Sequence, residues 1–282
     1  MRIGVIGAGT MGTGIALVCA RSGHQVRLMD QNDTILAKAK ETIKKRLERD
    51  YQKGKITEQE REMIEHSINL VQVMDLMKDC EIVIEAVSEK MELKKRIFQE
   101  LATICSETTL LLSNTSSLSI TAIAAGCQHE ERILGLHFFN PAPIMPLVEV
   151  VQGMKSSKVN VERTVQFAKN LGKTPVIAKD TPGFIVNRIA RPFYNEALKI
   201  LEGRIATVEQ IDEIMTKAGG FKMGPFALQD LIGIDINFAT TKSVYTHFFY
   251  EDRFKPSRIQ QLMVQAGRLG KKSGGGFYDD SK

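Results

Sequence analysis

Gly7-Ala8-Gly9-Thr10-Met11-Gly12 has the G-x-G-x-x-G spacing of a loop that brings backbone close to a phosphate. Alone the pattern is weak, and its setting supplies the meaning. The short apolar run Arg2–Ile6 precedes it, an amphipathic stretch to about Arg21 follows, and Asp30 ends a second strand candidate, His24–Asp30. That context defines a dinucleotide fingerprint. Its glycines allow a tight turn, close pyrophosphate approach and helix–strand packing, and N–H groups at the helix start meet the phosphates. Asp30 is expected to accept the adenosine ribose hydroxyls and to repel a 2′-phosphate. Gln31 and Asn32 offer no Arg to receive one, so the expected cofactor is NAD. The bland alternative is a strand–turn–helix whose glycines serve packing alone.

Five histidines occur. His24 sits in a turn, His66 and His129 lie in polar surroundings, and His247 belongs to an aromatic helical stretch. His137 differs, because it ends the apolar Ile133–Leu136 and precedes Phe138-Phe139-Asn140-Pro141. Strand carboxyl ends face the ligand crevice in open α/β sheets, and a titratable group there can act as a base. A lone His after a strand can equally be structural. Glu149 lies within Leu147-Val148-Glu149-Val150-Val151, where burial is costly without a partner. An imidazole would serve. Three prolines in Asn140–Pro146 turn the chain so that His137 and Glu149 can approach, unless Glu149 faces solvent. Ser113-Asn114-Thr115-Ser116-Ser117 places hydroxyl and amide groups at another strand end, with Ser117 or Ser119 as a helix cap in the simpler reading. Asn187 and Arg188, early in the C-terminal helical region, either close a site or cap and solvate a helix.

The elements that must hold these groups follow from periodicity. Further strands are expected at about 69–72, 81–85, 108–112, 132–137, 147–151 and 174–177, with helices around 88–104 and 157–171. Asp33 is the expected cap of a long basic helix ended by Gly54, and Thr57 with Glu60 reads as a capping box. Strands alternating with helices argue for a mainly parallel α/β sheet. Beyond Lys179-Asp180-Thr181-Pro182-Gly183 the rhythm becomes helical, with Ile185, Ile189, Phe193, Ala197 and Leu201 recurring every four residues. The boundary is placed near 180–184.

The 282 residues suffice for two domains, and 43% hydrophobic content excludes a disordered chain. The longest apolar runs fall short of a membrane span, and early glycines break any secretory core, so a soluble intracellular protein is expected. Cys19, Cys80, Cys105 and Cys127 lack metal-ligand spacing and read as reduced, mostly buried thiols, with no metal site expected. The net charge of +5 is too modest to imply nucleic acid, yet residues 34–55 alone carry eight Lys or Arg against three acidic residues.

Six ordered motifs run the length of the chain: VIGAGTMGTGIA, SNTSSL, GLHFFNPAPIMPLVEVV, DTPGFIVNR, MGPFALQDLIG and GKKSGGGFY. In these the chain resembles the short-chain L-3-hydroxyacyl-CoA dehydrogenases. The resemblance implies an α/β fold: an NAD-binding, Rossmann-type doubly wound domain over residues 1–182, and an all-α domain over 183–282 for substrate and dimerisation. It implies NAD-dependent oxidation of (3S)-3-hydroxyacyl-CoA, such as 3-hydroxybutyryl-CoA, to 3-oxoacyl-CoA. His137 is then the base, Glu149 its partner, and Ser116 and Asn187 orient the substrate. Cofactor contacts fall on Gly7, Ala8, Gly9, Thr10, Met11, Gly12, Asp30, Glu89, Lys94, Asn114, Ser116, Asn140 and Lys272. Relatives contact coenzyme A through the N-terminal helix pair, which gives the basic segment a use and makes Lys53 a candidate phosphate ligand, the alternative for most of its lysines being a solvated charged face. Relatives commonly carry Lys where this chain has Pro146, which leaves any acyl contact there open. The stretches RPFYNEAL and GIDINFATTKSVYTHFFYEDRFKPS are similar to the 3-hydroxyadipyl-CoA dehydrogenases, raising a dicarboxylyl substrate. A cytoplasmic homodimer built through the C-terminal domain, with no membrane or nucleic-acid partner, completes the expectation. The competing readings are a dehydrogenase of free hydroxy acids and a non-catalytic NAD-binding structural protein.

Overall fold

The computed structural model describes residues 1–279. Its contacts divide the chain into two compact units, Met1–Thr181 and a second from Pro182 onward. In the first unit, eight strands form one sheet: β1 (Arg2–Ile6), β2 (Gln25–Met29), β3 (Ile68–Val71), β4 (Ile82–Glu85), β5 (Leu110–Ser113), β6 (Ile133–Phe138), β7 (Leu147–Gln152) and β8 (Thr174–Lys179). Their order is β3-β2-β1-β4-β5-β6-β7-β8, with every pair parallel except β6 and β7. The order of the strands reverses at β1, running first outward to β2 and β3 and then to the other side at β4, the topological switch point at which such sheets bind ligands.

Six helices accompany the sheet: α1 (Thr10–Arg21), α2 (Asp33–Gln52), α3 (Glu58–His66), α4 (Met91–Ile104), α5 (Ile120–Ala124) and α6 (Lys158–Asn170). The central strands are apolar on both faces, as expected of a covered parallel sheet; Ile3, Val5, Val83, Ile84, Leu111 and Leu112 are fully buried. Helix α2 buries Leu36, Ala39, Ile43, Leu47 and Asp50, a stripe at three- and four-residue steps. Its cap is Asn32 rather than Asp33. Asn32 has extended backbone, and its side chain accepts from the N–H groups of Thr34 and Ile35, while Asp33 enters the first turn. The Thr57–Glu60 capping box forms as expected. Asp50, 2% exposed, accepts from Arg21 at 2.5 Å and from Arg46 at 3.2 Å, tying α2 to α1. Burial alone would raise the Asp50 carboxyl; the two guanidinium groups outweigh it and hold the carboxyl below its ordinary value.

The second unit is helical: α7 (Val186–Glu202), α8 (Val208–Lys217), α9 (Pro225–Ile232), α10 (Ile234–His247) and α11 (Arg258–Gln265). The run Ile185, Ile189, Phe193, Ala197 and Leu201 marks the helix but not its buried face, since of the five only Ala197 is buried. Steps of four turn about 40° too far on a 3.6-residue helix, and Ile189 is 69% exposed. Arg191, Tyr194, Asn195 and Leu198 join Ala197 on the inward face. Asp212 caps the start of α9 through the N–H groups of Phe226 and Ala227, and Asp230 accepts from Phe277 and Tyr278. No helix among the described residues is long and apolar enough to cross a membrane.

Candidate active site

The glycine loop joins β1 to α1 and is shaped by what side chains it excludes. Gly7 has φ +95°, a left-handed conformation that favours glycine. A Cβ on Gly12 would lie 1.7 Å from the Gly7 carbonyl oxygen, so this glycine lets the helix sit against the loop. A Cβ on Gly9 would meet nothing within 4 Å. The chain's own packing therefore does not require Gly9, which leaves backbone open to a close ligand. No side chain caps α1 at Gly9, so the N–H groups of its first turn suit an anion.

Asp30 follows β2 and accepts from Ala8 N at 3.0 Å and from Asn32 N at 3.1 Å. Beside it opens a cleft of about 560 Å³ lined by Gly9, Asp30, Ile35, Met74, Val87 and Arg96, among others. The loop, the carboxylate and the apolar wall have the chemistry a dinucleotide would need: uncapped N–H groups for phosphates, an acceptor for ribose hydroxyls at Asp30 and apolar side chains at Ile35 and Met74.

A second polar cluster stands at the carboxyl ends of β4 and β5. Here the expected helix over 88–104 begins only at Met91, because residues 86–90 form a loop that presents Glu89. Glu89 Oε1 accepts from Thr115 Oγ1 at 2.6 Å, Ser116 N at 2.9 Å and Ser117 N at 3.1 Å. Burial would raise the Glu89 carboxyl, but the Lys94 ammonium and these hydrogen bonds hold it below its usual value. Lys94 is 1% exposed and reaches both Glu85 at 2.6 Å and Glu89 at 3.4 Å. Glu85 was not singled out from the sequence. It is fully buried and accepts from Lys94, from Val87 N at 2.7 Å and from Ser113 Oγ at 2.7 Å. The signal lay in the apolar run Ile82–Ile84, which ends in a carboxylate, the same anomaly that marked Glu149. Asn114 Oδ1 accepts from Phe138 N at 2.8 Å, linking this cluster to the strand that carries His137.

His137 and Glu149 stand directly opposite each other in the antiparallel β6–β7 register. His137 Nδ1 lies 2.8 Å from Glu149 Oε2, with the residues 5% and 1% exposed. Glu149 therefore does not face solvent. With Nδ1–H donating to the carboxylate, the neutral ring has Nε2 as its acceptor. Phe139 packs beside the imidazole, ring centroids 4.5 Å apart. The helix cap in the serine-rich stretch is Ser119, which accepts from Ala122 N; Ser117 turns to Glu89. Asp180 accepts from Ser119, Ile120 and Thr121 and anchors the end of the first unit to α5.

Other expected contacts have plainer surroundings. Asn140 and Lys53 are exposed. Most basic residues of α2 point to solvent, apart from the half-buried Arg46. In the second unit, Asn187 lies in the first turn of α7, and Lys272 pairs with Asp235 at 2.5 Å. The four cysteines are free and buried, and no group of metal-ligating side chains occurs among the described residues.

Comparison with known proteins identifies the class. Residues 2–181 match the family model described as "3-hydroxyacyl-CoA dehydrogenase, NAD binding domain", and residues 183–280 match "3-hydroxyacyl-CoA dehydrogenase, C-terminal domain". The chain belongs to the 3-hydroxyacyl-CoA dehydrogenase family and carries its Rossmann-type NAD-binding domain followed by its helical domain. Among its relatives is a 3-hydroxyadipyl-CoA dehydrogenase of Escherichia coli, 50% identical over 98% of this chain; the chain spans 58% of that protein's length. A 3-hydroxybutyryl-CoA dehydrogenase of Clostridioides difficile is 40% identical, with both chains covered in full. The crystal structure of an (S)-3-hydroxybutyryl-CoA dehydrogenase from Ralstonia eutropha superposes with a TM-score of 0.95 at 40% identity, covering 100% of this chain and 99% of that one.

Proposed function

We propose that this chain is an NAD-dependent dehydrogenase of (3S)-3-hydroxyacyl-CoA thioesters, forming the 3-oxoacyl-CoA. The observation that carries the reading is the buried His137–Glu149 pair, set at adjacent strand positions in the same unit as the glycine loop. Bound NAD supplies the acceptor for the hydride that leaves C3 of the substrate. His137 takes the proton of the 3-hydroxyl at Nε2 as the C3–O bond gains double-bond character. Glu149 stabilises the imidazolium that results. In the reducing direction protonated His137 returns the proton to the alkoxide oxygen. Ser116 is assigned to orienting the substrate, a positioning effect, and Asn187 carries the same assignment in this reading. The glycine loop with Asp30, and Glu89, Lys94 and Asn114 beside the strand ends, serve the cofactor in this reading; Asn140 and Lys272 are its outer contacts. Lys53 and its basic neighbours on α2 supply charge for coenzyme A phosphates.

A dicarboxylyl thioester is the second substrate reading, favoured by the 50% identity to the Escherichia coli 3-hydroxyadipyl-CoA dehydrogenase. The proposal also includes a cytoplasmic setting and a homodimer formed through the helical unit. That unit exposes Ile189, Ile236 and Phe249, and sedimentation tests the dimer. The deciding assay is NADH oxidation with acetoacetyl-CoA, 3-oxoadipyl-CoA and free acetoacetate in parallel. Turnover of a thioester but not the free acid supports the proposal, and the ratio of kcat/KM values selects the substrate. NADH binding without turnover of any of the three would overturn it in favour of a non-catalytic role or another substrate.

A further inference from the structure

Glu85 is an expensive residue to keep. A fully buried carboxylate paired with a buried ammonium gains little net stability over apolar side chains of similar volume. Its contacts suggest what it does instead. One carboxylate oxygen accepts from Lys94 at 2.6 Å and from Val87 N at 2.7 Å, and the other accepts from Ser113 Oγ at 2.7 Å. Three segments therefore converge on one side chain: the loop 86–90, helix α4 and the end of β5.

Each segment leads to a residue of the proposed site. Lys94 lies nearer Glu85 than Glu89, 2.6 Å against 3.4 Å, so Glu85 sets where the ammonium stands between the two carboxylates. That placement leaves Glu89 Oε1 to the N–H groups of Ser116 and Ser117 and to the Thr115 hydroxyl. Through the other oxygen, Glu85 orders Ser113, whose hydroxyl in turn accepts from Thr115 N at 3.3 Å. The Glu85 carbonyl accepts from Asn114 N, and Asn114 Oδ1 accepts from Phe138 N, the residue after His137.

We infer that Glu85 is a positioning residue, which through Lys94 and Ser113 sets the geometry of the Asn114–Ser117 segment for both cofactor and substrate. The inference rests on the dehydrogenase reading for its kinetic consequence, and on the NAD-binding unit alone for its binding consequence. Neutralising Glu85 lets Lys94 move onto Glu89 and draws that carboxylate from the serine loop. Glu85→Gln tests this, with Ser113→Ala as a second variant that leaves the ion pair in place.

Both are studied as folded protein, verified by circular dichroism, well below their melting temperatures. NADH affinity is read by fluorescence titration and turnover with acetoacetyl-CoA. The expected result is a fall in kcat/KM of about tenfold or more in Glu85→Gln, a size typical of lost positioning. NADH affinity weakens about threefold or more, and Ser113→Ala shows the kinetic loss with a smaller fall in melting temperature. If both variants only melt earlier, with kcat, KM and NADH affinity within about twofold of wild type, Glu85 is a structural counter-ion and the inference is overturned. Should Glu85→Gln fail to fold, the same thresholds applied to Ser113→Ala decide. A wild-type chain inactive on every thioester would sink the substrate reading instead. NADH affinity of the variants then decides the inference alone: weakened binding supports it, and binding within about twofold of wild type overturns it.

Discussion

Glu149→Gln is the most incisive perturbation of the proposed chemistry, because it keeps the side-chain length in β7 and removes one charge. At the observed 2.8 Å, the attraction between Glu149 and an imidazolium on His137 is about 6 kcal/mol at an effective dielectric of about 20. Desolvation offsets part of this, and a charge-assisted hydrogen bond retains about 1.5–3 kcal/mol net. Gln still offers an oxygen to Nδ1–H, so a neutral bond survives. With Glu149 only 1% exposed, solvent does little to replace the lost charge. The imidazolium formed during oxidation therefore loses about 2–3 kcal/mol, which at about 1.4 kcal/mol per decade is a fall in kcat of about 30- to 150-fold. The assay is steady-state oxidation of 3-hydroxybutyryl-CoA, with NADH affinity measured alongside as a check on the cofactor site. His137→Ala is expected to fall at least as far while retaining NADH binding. A Glu149→Gln enzyme with kcat within about threefold of wild type would refute the proton-transfer role of the pair.

The glycine loop separates ligand space from packing space. Gly9→Ala is expected to melt within about 2 °C of wild type yet bind NADH at least about tenfold more weakly, since its Cβ meets nothing within 4 Å. Gly12→Ala should lower the melting temperature sharply, because its Cβ would sit 1.7 Å from a backbone oxygen; equal melting curves would discredit the distinction. Asp50 predicts a pH effect. Its carboxyl lies below the ordinary value in the folded chain, so its contribution is complete above the ordinary Asp value of 3.8 and is lost as pH falls through the lower folded value. Asp50→Asn should be less stable at neutral pH and should flatten the acid limb of melting temperature against pH; parallel curves would contradict the assignment. Burial pushes the Cys19 thiol up to about 12 and the Cys105 thiol up to about 11. Native protein at pH 8 should therefore resist alkylation at both, by mass spectrometry, while denatured protein takes up four labels.

Much of this architecture was legible because local chemistry agreed with the fold. The strand candidates near 81–85, 132–137 and 147–151 stood out as apolar runs, and the observed strands lie within a residue or two of them. His137 and Glu149 were legible as anomalies, a titratable group at a strand end and a carboxylate within an apolar run. Their pairing came from the strand register, which the intervening prolines only suggested. Glu85 escaped notice because a single carboxylate at the end of a strand is also what a solvated loop begins with. Its partners lie 9 and 28 positions along the chain, and only the folded sheet brings them together. The cap of α2 fell to Asn32 because Asn32 and Asp33 are both competent caps and backbone conformation decides between them. The four-residue repeat from Ile185 to Leu201 announced the helix α7 without marking its inward face, because residues four apart advance round a helix and leave one side.

The bond from Ala8 N to Asp30 has a consequence for changing cofactor preference. In the proposed reading, the carboxylate assigned to a ribose with two free hydroxyls is also a strut beneath the loop assigned to the pyrophosphate. Converting the site to a ribose bearing a 2′-phosphate requires removing that negative charge, and the same change leaves the Ala8 amide without its acceptor. Selectivity and scaffold are thus written in one side chain. A single exchange at Asp30 would loosen the cradle before it could welcome a new ligand, so a productive switch needs two coordinated changes, one to meet the phosphate and one to hold the loop.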